Sequence, residues 1–262
     1  MYFSPVEGKQ EVISTMSLIE FCRSGDLGGV KAVLESGADV NTKDEYGDTG
    51  LIWAVRKNCN SVVAFLLRTP NIDVNWKGDD GWCALHLAVV LIRNTEMLKL
   101  MLKVPSIDVN CVNKYGWGAL YWAVQFDNIE ALKLLLDIPN IDVNIVTNSG
   151  WSAVYLAAFK NNIEALKLLL NVPNIDVNIV NNCGRSAVHA AVVDENIEVL
   201  KLLLSQPDLT ILNHRDRYGG ATPVMLAVQG NKLKALALLV ADLRVNLDTN
   251  DKEGRSLEDV DR

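Results

Sequence analysis

Three histidines, five cysteines and a ladder of aspartates are the side chains in this chain whose types could support chemistry. Histidine and cysteine ligate metals or serve as base and nucleophile, and paired carboxylates do acid–base work. Spacing decides among these. Cys22, Cys59, Cys83, Cys111 and Cys183 are odd in number and include no C-x-x-C. They read as reduced thiols, not as a disulfide framework or zinc site. No cysteine or carboxylate recurs at ligand spacing beside His86, His189 and His214, so no metal site is expected. No G-x-S-x-G, P-loop or H-E-x-x-H occurs. Tyr218-Gly219-Gly220 reads as a loop insertion, not a phosphate cradle. The aspartates open an Asp-Val-Asn triplet at Asp39–Asn41, Asp73–Asn75, Asp108–Asn110, Asp142–Asn144 and Asp176–Asn178. Single carboxylates in a series fix loops through Asx hydrogen bonds. Their asparagines are placed to bond along a stack. The expectation is a chain that is no enzyme and takes no cofactor.

The triplet is one mark of a longer period. Asn128–Val146 and Asn162–Val180 agree at 17 of 19 positions at an offset of 34 residues. Gly47, Gly81, Gly116, Gly150, Gly184, Gly220 and Gly254 keep the same phase. A period of this size means a stacked array whose units pack on their neighbours and whose default output is a long binding surface. We read residues 16–262 as one repeat domain with units at 16–46, 47–80, 81–115, 116–149, 150–183, 184–219 and 220–253 and a partial unit at 254–262. Residues 1–15 read as a loose tail.

Within one unit, Ser152 caps a first helix over Ala153–Phe159. Lys160-Asn161-Asn162 breaks it, and a second helix runs from Ile163 to about Asn171, where Pro173 follows. Ile175–Val180 is expected to be extended and Asn181–Gly184 to turn into the next unit. The leucines make an apolar face broader than one stripe, which suits packing on both neighbours. The fold class is therefore an all-α solenoid of helix-turn-helix units joined by β-turn or hairpin loops. The near-identical central units should be the stable part, with fraying at the ends.

The unit resembles the ankyrin repeat, whose first helix opens G-x-T-P-L-H-x-A. Here that stretch reads GDTGLIWA at Gly47, GWCALHLA at Gly81, GWGALYWA at Gly116, GWSAVYLA at Gly150, GRSAVHAA at Gly184 and GATPVMLA at Gly220. The resemblance runs from Leu18 to about Val260. It departs at the proline, kept only as Pro223, and at the Gly-Ala before the triplet, kept only as Gly37-Ala38. Elsewhere a linker one residue longer, such as Val172-Pro173-Asn174-Ile175, removes the left-handed glycine. The resemblance gives His86 and His189 a structural hydrogen-bonding role.

Net charge is −7, and Lys99, Lys133, Lys167 and Lys201 recur once per repeat as a solvated helix face. That opposes nucleic-acid binding, which needs clustered cations. MYFSPVEGKQ has no apolar run of the kind a signal peptide needs, and Trp82–Ile92 is too short to span a bilayer. A cytoplasmic or nuclear monomer without membrane insertion is expected.

The resemblance implies a non-enzymatic scaffold that binds another protein on the concave face of loops and first helices. The residues matching that face and rich in aromatics or charge are Trp82, Tyr115, Trp117, Phe126, Trp151, Phe159 and Arg185. Trp82, Trp117 and Trp151 would form either a binding ladder or a cover over neighbouring loops. As a ladder, Trp117→Ala would weaken binding and spare stability. Trp53 and Trp122 fill a core leucine slot and are expected to be packing. Two other readings remain. Asn110, Asn144 and Asn178 have leucine eight residues earlier, at Leu102, Leu136 and Leu170, as an asparaginyl hydroxylase substrate would. The chain could also be the recognition fragment of a larger enzyme, adaptor or channel.

Overall fold

The computed structural model describes residues 16–90 and 95–260. The tail expected at 1–15 and the last two residues of the partial unit lie outside the described residues. The described residues fall into two compact units, one ending at Lys114 and one beginning at Tyr115.

In the first unit the helices are α1 (Leu18–Ser24), α2 (Leu27–Glu35), α3 (Gly50–Arg56), α4 (Asn60–Leu66), α5 (Ala84–Val90) and α6 (Thr95–Leu102). The second holds α7 (Ala119–Gln125), α8 (Ile129–Leu136), α9 (Ala153–Phe159), α10 (Ile163–Leu170), α11 (Ala187–Val193) and α12 (Ile197–Leu204). A 3₁₀ turn (Ile211–Asn213) leads to α13 (Pro223–Gln229), α14 (Leu233–Val240) and α15 (Leu257–Val260). Helices this short are marginal alone, so packing must supply their stability. Each first helix packs on the next, α1 on α3 on α5 and α7 on α9 on α11 on α13. The second helices do the same, α2 on α4 on α6 and α8 on α10 on α12 on α14. Leu66, Leu85, Leu98 and Met101 fill the core of the first unit, and Leu132, Leu135, Leu156, Leu166 and Leu169 that of the second.

Local rules set the helix ends. The Ser152 hydroxyl accepts from Tyr155 N–H at 3.1 Å, and Asn162 Oδ1 accepts from Ala165 N–H at 3.0 Å. These side chains satisfy donors that a helix start leaves open. Asn161 between the two helices is left-handed, with φ 54°. Asparagine tolerates that region because its short side chain bonds locally. At the hairpin, Gly150 has φ 79°, and a Cβ there would come within 2.8 Å of Asn182 N. Close approach and backbone twist both demand glycine.

Among the described residues the hairpins contain only isolated bridges, such as Val146 with Ser152 and Val180 with Ser186. They stack through Asn182 N–H, which donates to Ser149 O at 3.0 Å. The triplet asparagines staple one loop to the next. Asn144 Nδ2 donates to Asn174 O at 2.8 Å while its Oδ1 accepts from Asp176 N–H at 2.8 Å. Asn41, Asn75 and Asn178 make the same two-way bond.

The second helix of the central unit ends at Leu170 with Asn171 as its cap, in agreement with the expected end at about Asn171. Two local expectations need correction. Ile175–Val180 is not extended throughout. Asn178 N–H donates to Asp176 Oδ1 at 2.8 Å, an Asx turn that bends the chain at Val177-Asn178. The lost linker glycine is replaced in function by asparagine, since Asn71 and Asn174 are left-handed at φ 61° and 65°.

The cyclic lysines do lie in solvent, where Lys133 pairs with Glu130 at 3.2 Å and Lys201 with Glu198 at 2.7 Å. Such pairs contribute little. In the second unit Leu132, Leu135, Leu166 and Leu169 are all 0% exposed, whereas Leu233 of α14 is 66% exposed. Amide exchange should be slowest in α8 and α10 and faster in α14. Faster exchange in α10 than in α14 would contradict this ordering of stability.

Candidate functional site

Six of the seven predicted surface residues belong to the second unit, and they divide by what they touch. Tyr155 and Phe159 stand four residues apart on one face of α9, and Trp151, just before its Ser152 cap, lies against both. The Trp151 ring lies 5.1 Å from Tyr155 and 5.6 Å from Phe159. Trp117 stacks on Tyr121 at 5.7 Å, meets Tyr115 at 4.9 Å and sets its edge against Trp122 at 4.9 Å. Trp122 in turn stacks on Phe126 at 5.6 Å. The tryptophans after the hairpin glycines are therefore half-buried anchors within their own repeats. Tyr115, Phe126 and Phe159 are the exposed rings, at 46%, 41% and 48%. Tyr121 and Tyr155 were not predicted, although their spacing of four from Trp117 and Trp151 signals them.

Phe126 and Phe159 stand at the C-terminal ends of α7 and α9. Val193, also exposed, ends the adjacent α11. Because these helices pack in series, the three form a row along one side of the unit. Arg185 is committed elsewhere. Its guanidinium donates to Asp216 Oδ2 at 3.0 and 3.1 Å and sits 5.3 Å from the Tyr218 ring. Burial opposes the charge on Asp216, but Arg185 and the N–H groups of Ala221 and Gly219 hold its carboxyl below the usual range. That network fixes the 216–221 insertion, and Tyr218 stands exposed at its tip.

The seventh residue, Trp82, is half-buried in the first unit and sets its ring edge-on to His86 at 5.8 Å. It borders a cleft of about 380 Å³ lined also by Tyr46, Asp48, Trp53, Arg56, Asp79 and Asp80. Trp53 was expected in the core. It instead forms the cleft wall, because cations cover its faces, with Arg23 at 3.9 Å and Arg56 at 4.6 Å. Its indole N–H donates to Asp44 Oδ2 at 2.6 Å. Burial raises Asp44, but that bond, two backbone N–H groups and Arg23 bring its carboxyl below the usual range. Asp79 and Asp80 are exposed at the cleft rim, where Asp80 pairs with Lys114, and Arg56 in the cleft pairs with Asp48 at 2.7 Å.

His86 and His189 are both fully buried. His189 Nδ1 accepts from Ser186 N–H at 3.1 Å and contacts Ser186 Oγ at 2.8 Å. Burial lowers its pKa from 6.5 to about 4. The unfolded chain thus takes up a proton that the folded chain refuses. Stability from this residue is full above about pH 6.5 and is lost as pH falls toward 4, by about 3 kcal/mol. Denaturant midpoints measured across that window should show the slope, and His189→Gln should flatten it. An unchanged slope in the variant would contradict the assignment.

The expectation that no cysteine stands beside a histidine at ligand spacing fails at His86. Cys83 precedes it by three residues, and the loop after the Asp108–Asn110 triplet brings in Cys111. Cys83 Sγ is 3.4 Å from His86 Nδ1 and 2.9 Å from Cys111 Sγ. The contact with Cys111, opposed by burial and aided by His86, lowers the Cys83 thiol, while the same contact and burial raise Cys111. The Cys83–His86 spacing was readable in the sequence, but the third donor was not, since 28 residues separate the cysteines.

No helix among the described residues is long and apolar enough to cross a membrane. A family model described as Ankyrin repeats (3 copies) matches residues 18–113, 92–181 and 172–253. Among solved structures, the ankyrin repeat domain of Bcl-3, described as a unique member of the IkappaB protein family, aligns with a TM-score of 0.75. That alignment is 24% identical and covers 86% of this chain and 98% of that one. The likeness at this identity is one of fold. No curated protein matches the sequence.

Proposed function

Since this chain belongs to the ankyrin repeat family, we propose that it is a non-enzymatic scaffold that binds a protein partner across the aromatic side of its second unit. Ankyrin repeats are in general protein–protein interaction modules. The observation that carries the reading is the row of exposed apolar ends, Phe126, Phe159 and Val193, with Tyr115 exposed nearby in sequence at the hairpin before α7. An aromatic ring buries 150–250 Å² when covered, so a few such groups dominate an interface. Trp117 against Tyr115, Trp122 against Phe126 and Trp151 against Phe159 hold those rings in place, which limits the entropy lost on binding.

The occupant is an apolar or aromatic segment of another protein. Phe126→Ser combined with Phe159→Ser should abolish capture of the partner in an affinity pull-down while leaving circular dichroism unchanged. Leu243→Ser, at a fully exposed loop leucine, should capture it normally. Equal capture by the double variant would place the binding surface elsewhere.

A further inference from the structure

Two sulfurs and an imidazole meet inside the first unit, and we propose that Cys83, His86 and Cys111 form a binding site for a thiophilic d¹⁰ cation, Zn²⁺ or Cu(I). One donor atom from each residue lies within 4.8 Å of the other two. Two thiolates and a ring nitrogen make a soft donor set, which favours these ions over magnesium or calcium. The three residues are 1%, 0% and 3% exposed, so the site is closed to bulk water.

The rest of the chain shows that these sulfurs are particular to one junction. The position of Cys83 carries a hydroxyl in Thr49, Ser152, Ser186 and Thr222. Thr49, Ser152 and Thr222 use it to cap a first helix. The position of Cys111 carries Thr42, Trp76, Ile145 and Ile179 elsewhere. Sulfur appears at both positions only where the two face each other. His189, the equivalent of His86, has Ser186 in place of that first sulfur.

The histidine is already oriented for ligation. Its Nε2 lies 2.9 Å from Cys111 O and its Nδ1 3.3 Å from Cys83 N–H. Those partners assign the proton to Nε2, which donates to the carbonyl. Metal-bound histidines characteristically donate their second N–H in this way. Nδ1 then faces Cys83 Sγ at 3.4 Å, while Cys111 Sγ lies 3.6 Å from Nε2, so a cation on Nδ1 displaces the long contact with Cys83 N–H and draws Cys111 Sγ toward it. A metal about 2.3 Å from each sulfur and about 2.0 Å from nitrogen spreads its donors to roughly 3.5–3.8 Å. The sulfurs at 2.9 Å must therefore part by about 1 Å. Binding releases the two thiol protons. Three closed donors suit Cu(I) as they stand, whereas Zn²⁺ would add a fourth ligand.

The test loads the reduced full-length chain with Zn²⁺, or with Cu(I) from a competing chelator, and measures metal retained after gel filtration. One equivalent of either ion is expected, and the ion retained identifies the source. Cobalt substitution should give thiolate-to-metal charge-transfer absorption. Cys83→Ser and Cys111→Ser should each lose the equivalent, and Cys183→Ser should keep it. Serine occupies the Cys83 position in two other repeats, so that variant is expected to fold, which circular dichroism checks. Failure to retain either ion overturns the proposal, as does equal retention by the Cys83→Ser/Cys111→Ser double variant. A wild-type chain that takes no metal and instead joins the two cysteines on exposure to peroxide also overturns it.

Discussion

Replacing Trp122 by alanine should lower the stability of the second unit by about 3–5 kcal/mol, the range for truncating a large buried aromatic. Trp122 is only 7% exposed and contacts three rings, with Trp117 and Phe126 at 4.9 and 5.6 Å and Tyr121 at 6.1 Å. Its removal leaves a cavity that short, locally anchored helices cannot close. Trp117 shares that cluster, so Trp117→Ala should also lower the melting transition, contrary to what its hairpin position suggested. Phe126→Ser, on the exposed side of the same stack, should shift stability far less. Denaturant titrations of the three variants check the order. A Trp122→Ala loss below that of Phe126→Ser would mean that the cluster is not a core.

Leu169→Ala should cost about 2–5 kcal/mol. Leu169 is fully buried in α10, which packs between α8 and α12. In an array, stability is close to a sum of unit and nearest-neighbour terms, so one lost side chain weakens contacts on both sides. Lys167→Ala, two residues away on the exposed face, should stay within about 0.5 kcal/mol. Parity between the two variants, measured by chemical denaturation, would show that the leucine face does not hold the stack.

How far the sequence carried depended on the range of the interaction. Ala153–Phe159 was legible to the residue because a capping serine, an apolar period and an asparagine break coincide within ten positions. The Asx bond of Asp176 was legible from the recurring triplet, but its bend was not, because Ile175, Val177, Ile179 and Val180 favour extended chain and the side-chain carboxylate overrode them. Trp53 was misplaced because the cation nearest its ring centre, Arg23, comes from the preceding repeat. The Cys83, His86 and Cys111 cluster was missed for the same reason, since its third member arrives from another loop. The asparagine staples were anticipated as bonds along the stack, but their two-way geometry needed coordinates. For the candidate surface, residue types and phase were readable. Which rings anchor and which present themselves was not, because that depends on packing among Trp117, Tyr121 and Trp122.

The central claim is that a protein partner lies on the side of the second unit where Phe126 and Phe159 are exposed. Site-specific photocrosslinking tests it most directly. A photoreactive phenylalanine analogue is placed at position 159 in one full-length chain and at position 243 in another, and each is irradiated in native extract. The account predicts one discrete covalent adduct from position 159, competed away by unlabelled wild-type chain, and none from position 243. An adduct formed at position 243 with none at 159 would contradict it.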